Sequence, residues 1–383
     1  MRKMKDSGIE WIGEIPEDGR TEKIKFLKSE DKNSFVDGPF GSNLKSEHYI
    51  EDGEVFVIES NFATRGLIEE QNLKTISKNH FETIRRSECR YGDIIISKIG
   101  EYFGKSNILP LLSKPSVVSG NSLKLTISNL HNVKYIWYSL VAAKNIGTID
   151  FLVNGTGQPA LSLGVLNEVK LQVPIDRKKE NKIADYLDKK CTEIDSVIMA
   201  KENTNGMLKE YRQSVIHYAV TKGLNKNAPM KDSGIEWIGE IPDEWEVKKI
   251  KYFCDIDKER LNEITTKDFL FNYIDISSVT DTGGIGETVE MEFENSPSRA
   301  RMIVKEGDTI VSTVRTYLRA IAYVDLSNKY ICSTGFCVIT PKNTIQRYMY
   351  YLCMSEYFIR KIVSQSVGVS YPAINSIEIS NIK

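Results

Sequence analysis

A segment of thirteen residues occurs twice in this chain without a change, as MKDSGIEWIGEIP at residues 4–16 and again at residues 230–242. The two copies are 226 residues apart, a period much longer than that of any solenoid repeat. A looser match follows, because residues 91–97 (YGDIIIS) resemble residues 306–312 (EGDTIVS). The sequence therefore predicts two domain-sized copies of one module.

A third match, between residues 158–160 (QPA) and 371–373 (YPA), lowers the offset between the copies to 213 residues. The frame is thus shared while the loop lengths differ, which suggests one scaffold that recognises two different targets. At this offset Lys383 corresponds to Lys170, after which the first copy continues into a helical segment. We therefore expect the order module, helix, module, with a second helix absent.

The bulk composition is that of an ordinary soluble protein, with 41% hydrophobic and 27% charged residues among 383. There is no apolar run of transmembrane length, and the polar start MRKMKDSG does not resemble a signal peptide. The six cysteines lack the paired spacing of a zinc site and are expected to be reduced thiols. These features predict a cytoplasmic protein with no membrane partner.

The formal net charge of −1 is unusual for a protein that binds DNA alone, since neutralising phosphates supplies most non-specific affinity. Two interpretations remain open. Either the chain does not bind nucleic acid, or it reads bases while a partner supplies much of the contact to phosphate.

Hydrophobic periodicity predicts strands and one late helix in each module, and so an α+β fold with mostly antiparallel sheets. The predicted strands are residues 54–59, 93–97 and 122–127 in the first module, and 269–276, 308–314, 320–324 and 335–340 in the second. The predicted helices are residues 132–144 and 344–363.

Residues 178–222 are different in kind, because they contain no proline and Gly206 is their only glycine. Apolar residues recur there with a heptad period, which predicts one helix roughly 67 Å long in a coiled coil. The alternative is a core helix of an ordinary domain. The apolar positions of the pairing seam are Ile183, Leu187, Ile194, Val197, Leu208, Tyr211, Val215 and Tyr218. Gly223 is expected to cap the helix.

Several motifs together resemble the specificity subunit of type I restriction-modification systems. They are the repeated MKDSGIEWIGEIP, residues 38–42 (GPFGS), 92–98 (GDIIISK), 157–161 (GQPAL) and 185–188 (DYLD). The resemblance covers essentially the whole chain, and the duplication makes it more specific than any single motif.

The resemblance implies two target recognition domains, residues 1–174 and 226–383, joined by a conserved coiled-coil spacer helix at residues 175–225 and lacking the C-terminal, distal conserved helix. Each domain would read one part of a split target in double-stranded DNA. Modification subunits would dock on this frame and transfer methyl groups from S-adenosylmethionine, and a restriction subunit would use ATP and Mg²⁺. The chain itself would hold no cofactor and no metal.

The residues agree with a non-catalytic role. No Pro-Pro pair occurs, so the Asn-Pro-Pro-aromatic motif of adenine methyltransferases is missing, and residues 100–106 (GEYFGKS) are one residue short of a phosphate-binding loop. Two alternatives stay open. One is a nuclease or methyltransferase with its own site, and the other is an adaptor or decoy that binds modification subunits without productive DNA targeting.

Cationic residues flank the glycine-bearing loop that follows the predicted strand at residues 93–97, and the second module has cations around the equivalent strand. Arginine and lysine match the acceptors of guanine and phosphate. The candidate DNA-contacting residues are Arg85, Arg86, Arg90, Lys98, Lys105, Arg299, Arg301, Arg315, Tyr317 and Arg319. The competing interpretation is that these are solvated surface charges.

The unpartnered seam leaves three arrangements open. Two chains pair as a homodimer, a separately encoded half-subunit supplies a helix, or the chain is a truncation product that is partly or wholly inactive.

Overall fold

The computed structural model describes residues 3–9, 12–153, 160–236, 238–280, 282–325 and 329–383, and it divides into two compact units, Met1–Val197 and Ile198–Lys383. Trp11 and Trp237 of the repeated segment lie outside the described residues. Each unit is described by itself below.

The first unit contains short strands and helices in chain order. Its strands are β1 (Met4–Asp6), β2 (Glu14–Pro16), β3 (Gly19–Lys23), β4 (Phe35–Asp37), β5 (Tyr49–Ile50), β6 (Val55–Ile58), β7 (Lys74–Ile76), β8 (Glu88–Cys89), β9 (Ile94–Ser97), β10 (Ser106–Ile108), β11 (Ser116–Val118), β12 (Ser122–Leu125) and β13 (Lys170–Pro174). Its helices are α1 (Ile24–Leu27), α2 (Ser60–Arg65), α3 (Lys78–Thr83), α4 (Val133–Asn145), α5 (Thr148–Leu152), α6 (Leu163–Glu168) and the start of α7 (Arg177–Lys222).

The second unit contains the end of α7 and a second set of elements. Its strands are β14 (Met230–Asp232), β15 (Glu240–Pro242), β16 (Cys254–Ile256), β17 (Leu270–Ile274), β18 (Val289–Glu292), β19 (Ala300–Val304), β20 (Thr309–Ser312), β21 (Ile321–Tyr323), β22 (Tyr330–Ser333) and β23 (Phe336–Pro341). Its helices are α8 (Gln346–Met354), α9 (Glu356–Gln365) and α10 (Ser376–Ser380).

The two main sheets have the same strand order in both units, apart from β5, an additional edge strand of the first unit. In the first unit one sheet has the order β10-β9-β12-β4 and the other β5-β7-β6-β11-β8. In the second unit the corresponding orders are β21-β20-β23-β16 and β18-β17-β22-β19. Each second sheet contains one parallel pair, β6 with β11 and β17 with β22, among otherwise antiparallel strands of the described residues. The two modules are therefore copies of one α+β frame, as the sequence repeat predicted.

The central strands owe their position to continuous apolar runs. Ile94, Ile95 and Ile96 in β9 and Ile310 and Val311 in β20 are fully buried, because both faces of these strands are covered. In the first unit α4 covers one face, where Ile136 and Leu140 join the same hydrophobic core as Ile94 and Ile96.

The seven predicted strands are confirmed within one or two residues at most ends. The prediction of one helix over residues 344–363 is wrong, because α8 and α9 are separated by Ser355. Ser355 has an extended backbone and is fully buried, and its hydroxyl accepts a hydrogen bond from the Phe358 backbone N–H at 3.3 Å. A buried N-cap therefore starts a new helix where the apolar periodicity alone indicated continuation.

The long helix forms as predicted, with 46 residues in α7. It ends at Gly223, whose φ of +73° is the left-handed conformation typical of a helix C-terminus. No helix in the described ranges is long and apolar enough to cross a membrane.

Candidate nucleic-acid interface

The loops after β9 and β20 are structurally equivalent. The Ser97 N–H donates to the Lys105 carbonyl at 2.9 Å, and the Ser312 N–H donates to the Ala320 carbonyl at the same distance. Each pair therefore closes a loop of the same length, residues 98–105 or 313–320.

A second hydrogen bond in each unit fixes the alignment of these loops. The Lys98 carbonyl accepts from the Leu161 N–H at 2.8 Å, and the Thr313 carbonyl accepts from the Ile374 N–H at 2.9 Å. Lys98 thus corresponds to Thr313, and Lys105 to Ala320. Cations occur in both loops, but at different positions.

Asp37, at the end of β4, brings two of the predicted cations together. Its carboxylate lies 2.7 Å from the Arg86 Nη2 and 3.2 Å from the Lys98 Nζ. The side chains of Lys98 and Asp37 are only 14% and 10% exposed, whereas that of Arg86 is mostly exposed. The ring of Phe40 lies against the Lys98 ammonium, 4.8 Å from Nζ to the ring centroid. Lys98 is therefore part of the frame of the loop, and Arg86 is the more accessible charge.

The other three candidates of the first module are solvent-exposed. Arg85 pairs with Glu82 at 2.9 Å and Arg90 with Glu88 at 3.1 Å, both on the surface. Hydrogen bonding to Glu88 and its charge raise the pKa of Arg90, so its positive charge is retained. Lys105 lies over the Tyr102 ring at 4.7 Å.

In the second module, two candidates lie at the edge strand β19. The Arg301 guanidinium stacks on Phe293 at 4.7 Å and donates to the Ala300 carbonyl at 2.8 Å. Arg301 also lines a cleft of about 530 Å³ together with Lys267. The Arg299 carbonyl accepts from the Thr334 N–H at 2.8 Å. This edge is equivalent to β8, which the 3₁₀ turn containing Arg85 and Arg86 precedes.

The remaining three candidates lie on the loop after β20. Tyr317 and Arg319 are exposed, and both line a cleft of about 450 Å³. The Arg319 guanidinium lies 3.1 Å from Glu356, which also pairs with Arg360 at 2.9 Å. Burial, the largest influence, raises the pKa of Glu356, but the hydrogen bond from Arg360 and the charges of both arginines outweigh it and lower that pKa. The carboxylate is therefore shared by two cations.

Sequence reasoning missed three of the residues that position these cations, namely Asp37, Phe40 and Glu356. Phe40 belongs to the GPFGS motif, so the motif was a signal for it. No local signal marks Asp37, which is 61 residues from Lys98 in sequence. Gln158 and Pro159, in the turn that corresponds to Tyr371–Pro372, lie outside the described residues.

The long helix leaves its heptad seam uncovered. Ile183 and Ile194 in the first unit, and Leu208, Tyr211 and Val215 in the second, are exposed large hydrophobic residues. Val197 and Tyr218 are exposed as well, while Leu187 is half-buried.

The start of the helix is anchored through Glu180. This carboxylate is buried, lies 2.8 Å from the His131 Nδ1 and accepts from the Asn132 backbone N–H at 2.6 Å. The described part of the chain has no cluster of three or more His, Cys, Asp or Glu side chains suited to a metal ion.

Comparison with known proteins gives a family match over most of the chain. The family model for the type I restriction modification DNA specificity domain matches residues 38–201 and 242–383. The type I restriction enzyme MjaVIII specificity subunit of Methanocaldococcus jannaschii is 24% identical over 284 residues, which are 71% of this chain and 64% of that protein. The chain thus matches slightly less than two thirds of the length of this relative.

A solved structure has a similar fold. A chain from a study of complex assembly and conformational transition of the type I R-M system aligns with a TM-score of 0.56 at 12% identity, over 96% of this chain and 85% of that one. At this identity the similarity concerns the fold alone.

Proposed function

Because the chain belongs to the family of type I restriction modification DNA specificity domains, we propose that it reads a split DNA target, with each module recognising one part. Specificity subunits of these systems are DNA-recognition components and not catalytic ones. In this proposal the modification and restriction subunits supply the methyl transfer, the ATP-driven steps and the associated cofactors.

The observation that supports this proposal best is the duplicated frame with different side chains at equivalent loops. Apart from β5, the strand order of the main sheets is the same in both units, whereas Lys98 and Lys105 are replaced by Thr313 and Ala320. If both modules bound the same ligand, we would expect cations at the same positions of this shared loop. Two modules that recognise different base sequences need this difference, because base edges present different donors and acceptors.

The charge balance fits a shared DNA interface. Five of the nine cationic candidates are paired with carboxylates, as in Arg85 with Glu82 and Arg90 with Glu88. The chain as a whole has a net charge of −1. Such a chain releases few counterions on binding and so has limited non-specific affinity. We therefore assign much of the phosphate contact to the partner subunits. Base contact is assigned to the candidate residues named above other than Lys98, which holds the first loop in place.

The uncovered heptad seam supports a second helix as the partner of α7. Seven of the eight apolar seam residues, from Ile183 to Tyr218, remain exposed in the chain by itself. A coiled-coil partner would bury them. A second copy of the chain or a separately encoded half-subunit would each provide such a helix, and the modification subunits would dock on the resulting pair.

The experiment that tests this function is sequencing of methylated bases in DNA from cells that co-express the chain with its modification subunit. A split, asymmetric motif would support reading by both modules. A palindromic split motif would support two chains paired through α7 with one module of each in use. No methylation, with a modification subunit that is active beside another specificity subunit, would contradict productive DNA targeting.

A pair of matched variants separates DNA contact from assembly. Arg86→Ala removes an exposed cation of the first module's loop, and Arg20→Ala removes one that pairs with Glu22 on β3. We expect Arg86→Ala to weaken methylation while the modification subunit still co-purifies, and Arg20→Ala to leave both unchanged. Equal methylation by both variants would contradict the assignment of Arg86.

A further inference from the structure

We propose that Arg315 and Arg319 are a pair of DNA-contacting residues that only the second module possesses, and that their guanidinium groups bind paired acceptors on duplex DNA. This inference rests on the proposed function. It identifies which side chains of the second module make that contact, and it assigns them to positions where the first module has glycine.

The backbone at both residues is in a conformation that arginine rarely adopts. Arg315 and Arg319 have φ values of +52° and +57°. In the equivalent loop of the first module these two positions are Gly100 and Gly104, with φ values of +89° and +79°. Glycine populates this region without a steric penalty, whereas a side chain with a Cβ does not. The fold therefore requires glycine-like backbone at both positions, and arginine is not a residue that this backbone favours.

The backbone hydrogen bonds that close this loop do not depend on the arginine side chains. The Arg315 backbone N–H donates to the Pro372 carbonyl at 2.8 Å, and the Leu318 N–H donates to the Arg315 carbonyl at 2.8 Å. The first module makes the second of these contacts with glycine, from the Phe103 N–H to the Gly100 carbonyl at 3.1 Å. The loop thus closes in the same way whether arginine or glycine is present.

The surroundings of the Arg315 side chain leave its donors available. Within the described ranges no carboxylate is paired with it, and its guanidinium stacks on the Tyr371 ring at 4.4 Å. Tyr371 is itself 61% exposed. Stacking occupies the flat face of a guanidinium and fixes its orientation, but the N–H donors lie in the plane and are not used by the ring.

Arg319 adds a second charge that is only partly neutralised. Glu356 is shared between Arg319 and Arg360, so one negative charge faces two positive charges there, and Arg315 lies four residues earlier on the same loop. A local excess of cations beside an exposed aromatic ring suits a ligand with closely spaced anionic or acceptor atoms. On duplex DNA these are the O6 and N7 atoms of guanine or two oxygens of a phosphate group.

Substitution by glycine provides a direct test, because it removes the side chain and relieves the backbone at the same time. We would compare Arg315→Gly, Arg319→Gly and the double variant with the unmodified chain, each in complex with the modification subunit. Asp52→Gly is the matched control, since Asp52 has a φ of +53° in the turn between β5 and β6 of the first module and belongs to neither of these loops. Arg315→Asn is a second variant, because asparagine tolerates the left-handed region but lacks a guanidinium.

We expect the double variant to keep or raise the melting temperature and to bind specific duplex DNA at least tenfold more weakly, with Asp52→Gly unchanged in binding. If the double variant loses affinity equally for all DNA sequences, and its affinity depends less on salt concentration, the two arginines contact phosphate. A loss of discrimination at one base pair of the second half-site would assign them to guanine. Either result supports the inference.

Two results would overturn it. If the double variant and Arg315→Asn bind DNA as tightly as the unmodified complex, the arginines make no contact and this inference fails while the proposed function stands. If the unmodified complex shows no preference for any DNA sequence, the proposed function fails and the inference fails with it.

Discussion

The His131 Nδ1 and a Glu180 carboxylate oxygen lie 2.8 Å apart, and this pair joins the loop before α4 to the first turn of the long helix. Both side chains are almost completely buried, at 10% and 1% exposure. An acidic residue in the first helical turn also interacts favourably with the helix dipole. The contact therefore fixes where the helix leaves the first module.

Replacing Glu180 by alanine should destabilise the first unit by about 3 kcal/mol, because the buried His131 ring and the Asn132 N–H would lose their acceptor. Urea unfolding measures this change. Glu193→Ala is the control, since Glu193 forms only an exposed pair with Lys190 on the same helix, and it should change stability by less than about 0.5 kcal/mol. Equal effects of the two substitutions would contradict the anchoring role.

Removal of the Asp37 carboxylate should leave the Lys98 ammonium without a partner in a site where it is mostly buried. We expect Asp37→Ala to cost about 2–3 kcal/mol of unfolding free energy. The double variant Asp37→Ala/Lys98→Met should recover part of this loss, because it removes the unpaired charge. Thermal unfolding of both single variants and the double variant measures the coupling. Simple additivity of the two single effects would show that the pair is not coupled.

Charged substitutions in the seam should abolish assembly without unfolding the chain. Leu208 is 59% exposed, so Leu208→Asp should leave the melting temperature of the isolated chain almost unchanged and prevent helix pairing. Sedimentation with the modification subunit present measures the assembly. Met199→Asp is a matched control, since Met199 is 64% exposed on the opposite side of the heptad pattern. Assembly that survives Leu208→Asp and fails with Met199→Asp would place the interface on the other face.

Asp308 should make the stability of the second unit dependent on pH. Burial is the main influence on its pKa and raises it above the ordinary value of 3.8. A carboxyl group with a raised pKa in the folded state contributes stability that is fully present below pH about 4 and is lost as the pH rises through the raised value. The contribution of Asp308 to the unfolding free energy should therefore fall over this window, whereas groups with a lowered pKa, such as Glu356, contribute in the opposite direction.

Asp308→Asn should remove that part of the pH dependence, because asparagine does not titrate and its side-chain oxygen can still accept from the Lys305 N–H. Urea titrations at several pH values between 4 and 7 measure the difference. Glu306→Gln, at an exposed position in the same turn, should leave the slope of the unfolding free energy against pH unchanged. A slope that is the same in Asp308→Asn and in the unmodified chain would show that Asp308 does not cause it.

The repeat, the heptad pattern and the apolar runs determined a large part of this fold directly from sequence. The order of two modules and the long helix between residues 178 and 222 follow from local properties: the periodicity, the absence of proline and the glycine after the last turn. The fully buried strands β9 and β20 follow from their continuous apolar residues. These features depend on residues that are close in sequence, so they can be predicted from the sequence alone.

The tertiary structure decided which cations are accessible and which belong to the frame. Lys98 and Arg315 were both candidate DNA contacts in the sequence. In the structure, Lys98 is held by Asp37, a residue far away in the chain, whereas Arg315 occupies a glycine-like backbone position beside Tyr371. The break between α8 and α9 likewise depends on the burial of Ser355. Burial, pairing across distant segments and backbone strain arise only when the strands and loops are assembled, because none of them is a property of a residue and its immediate neighbours.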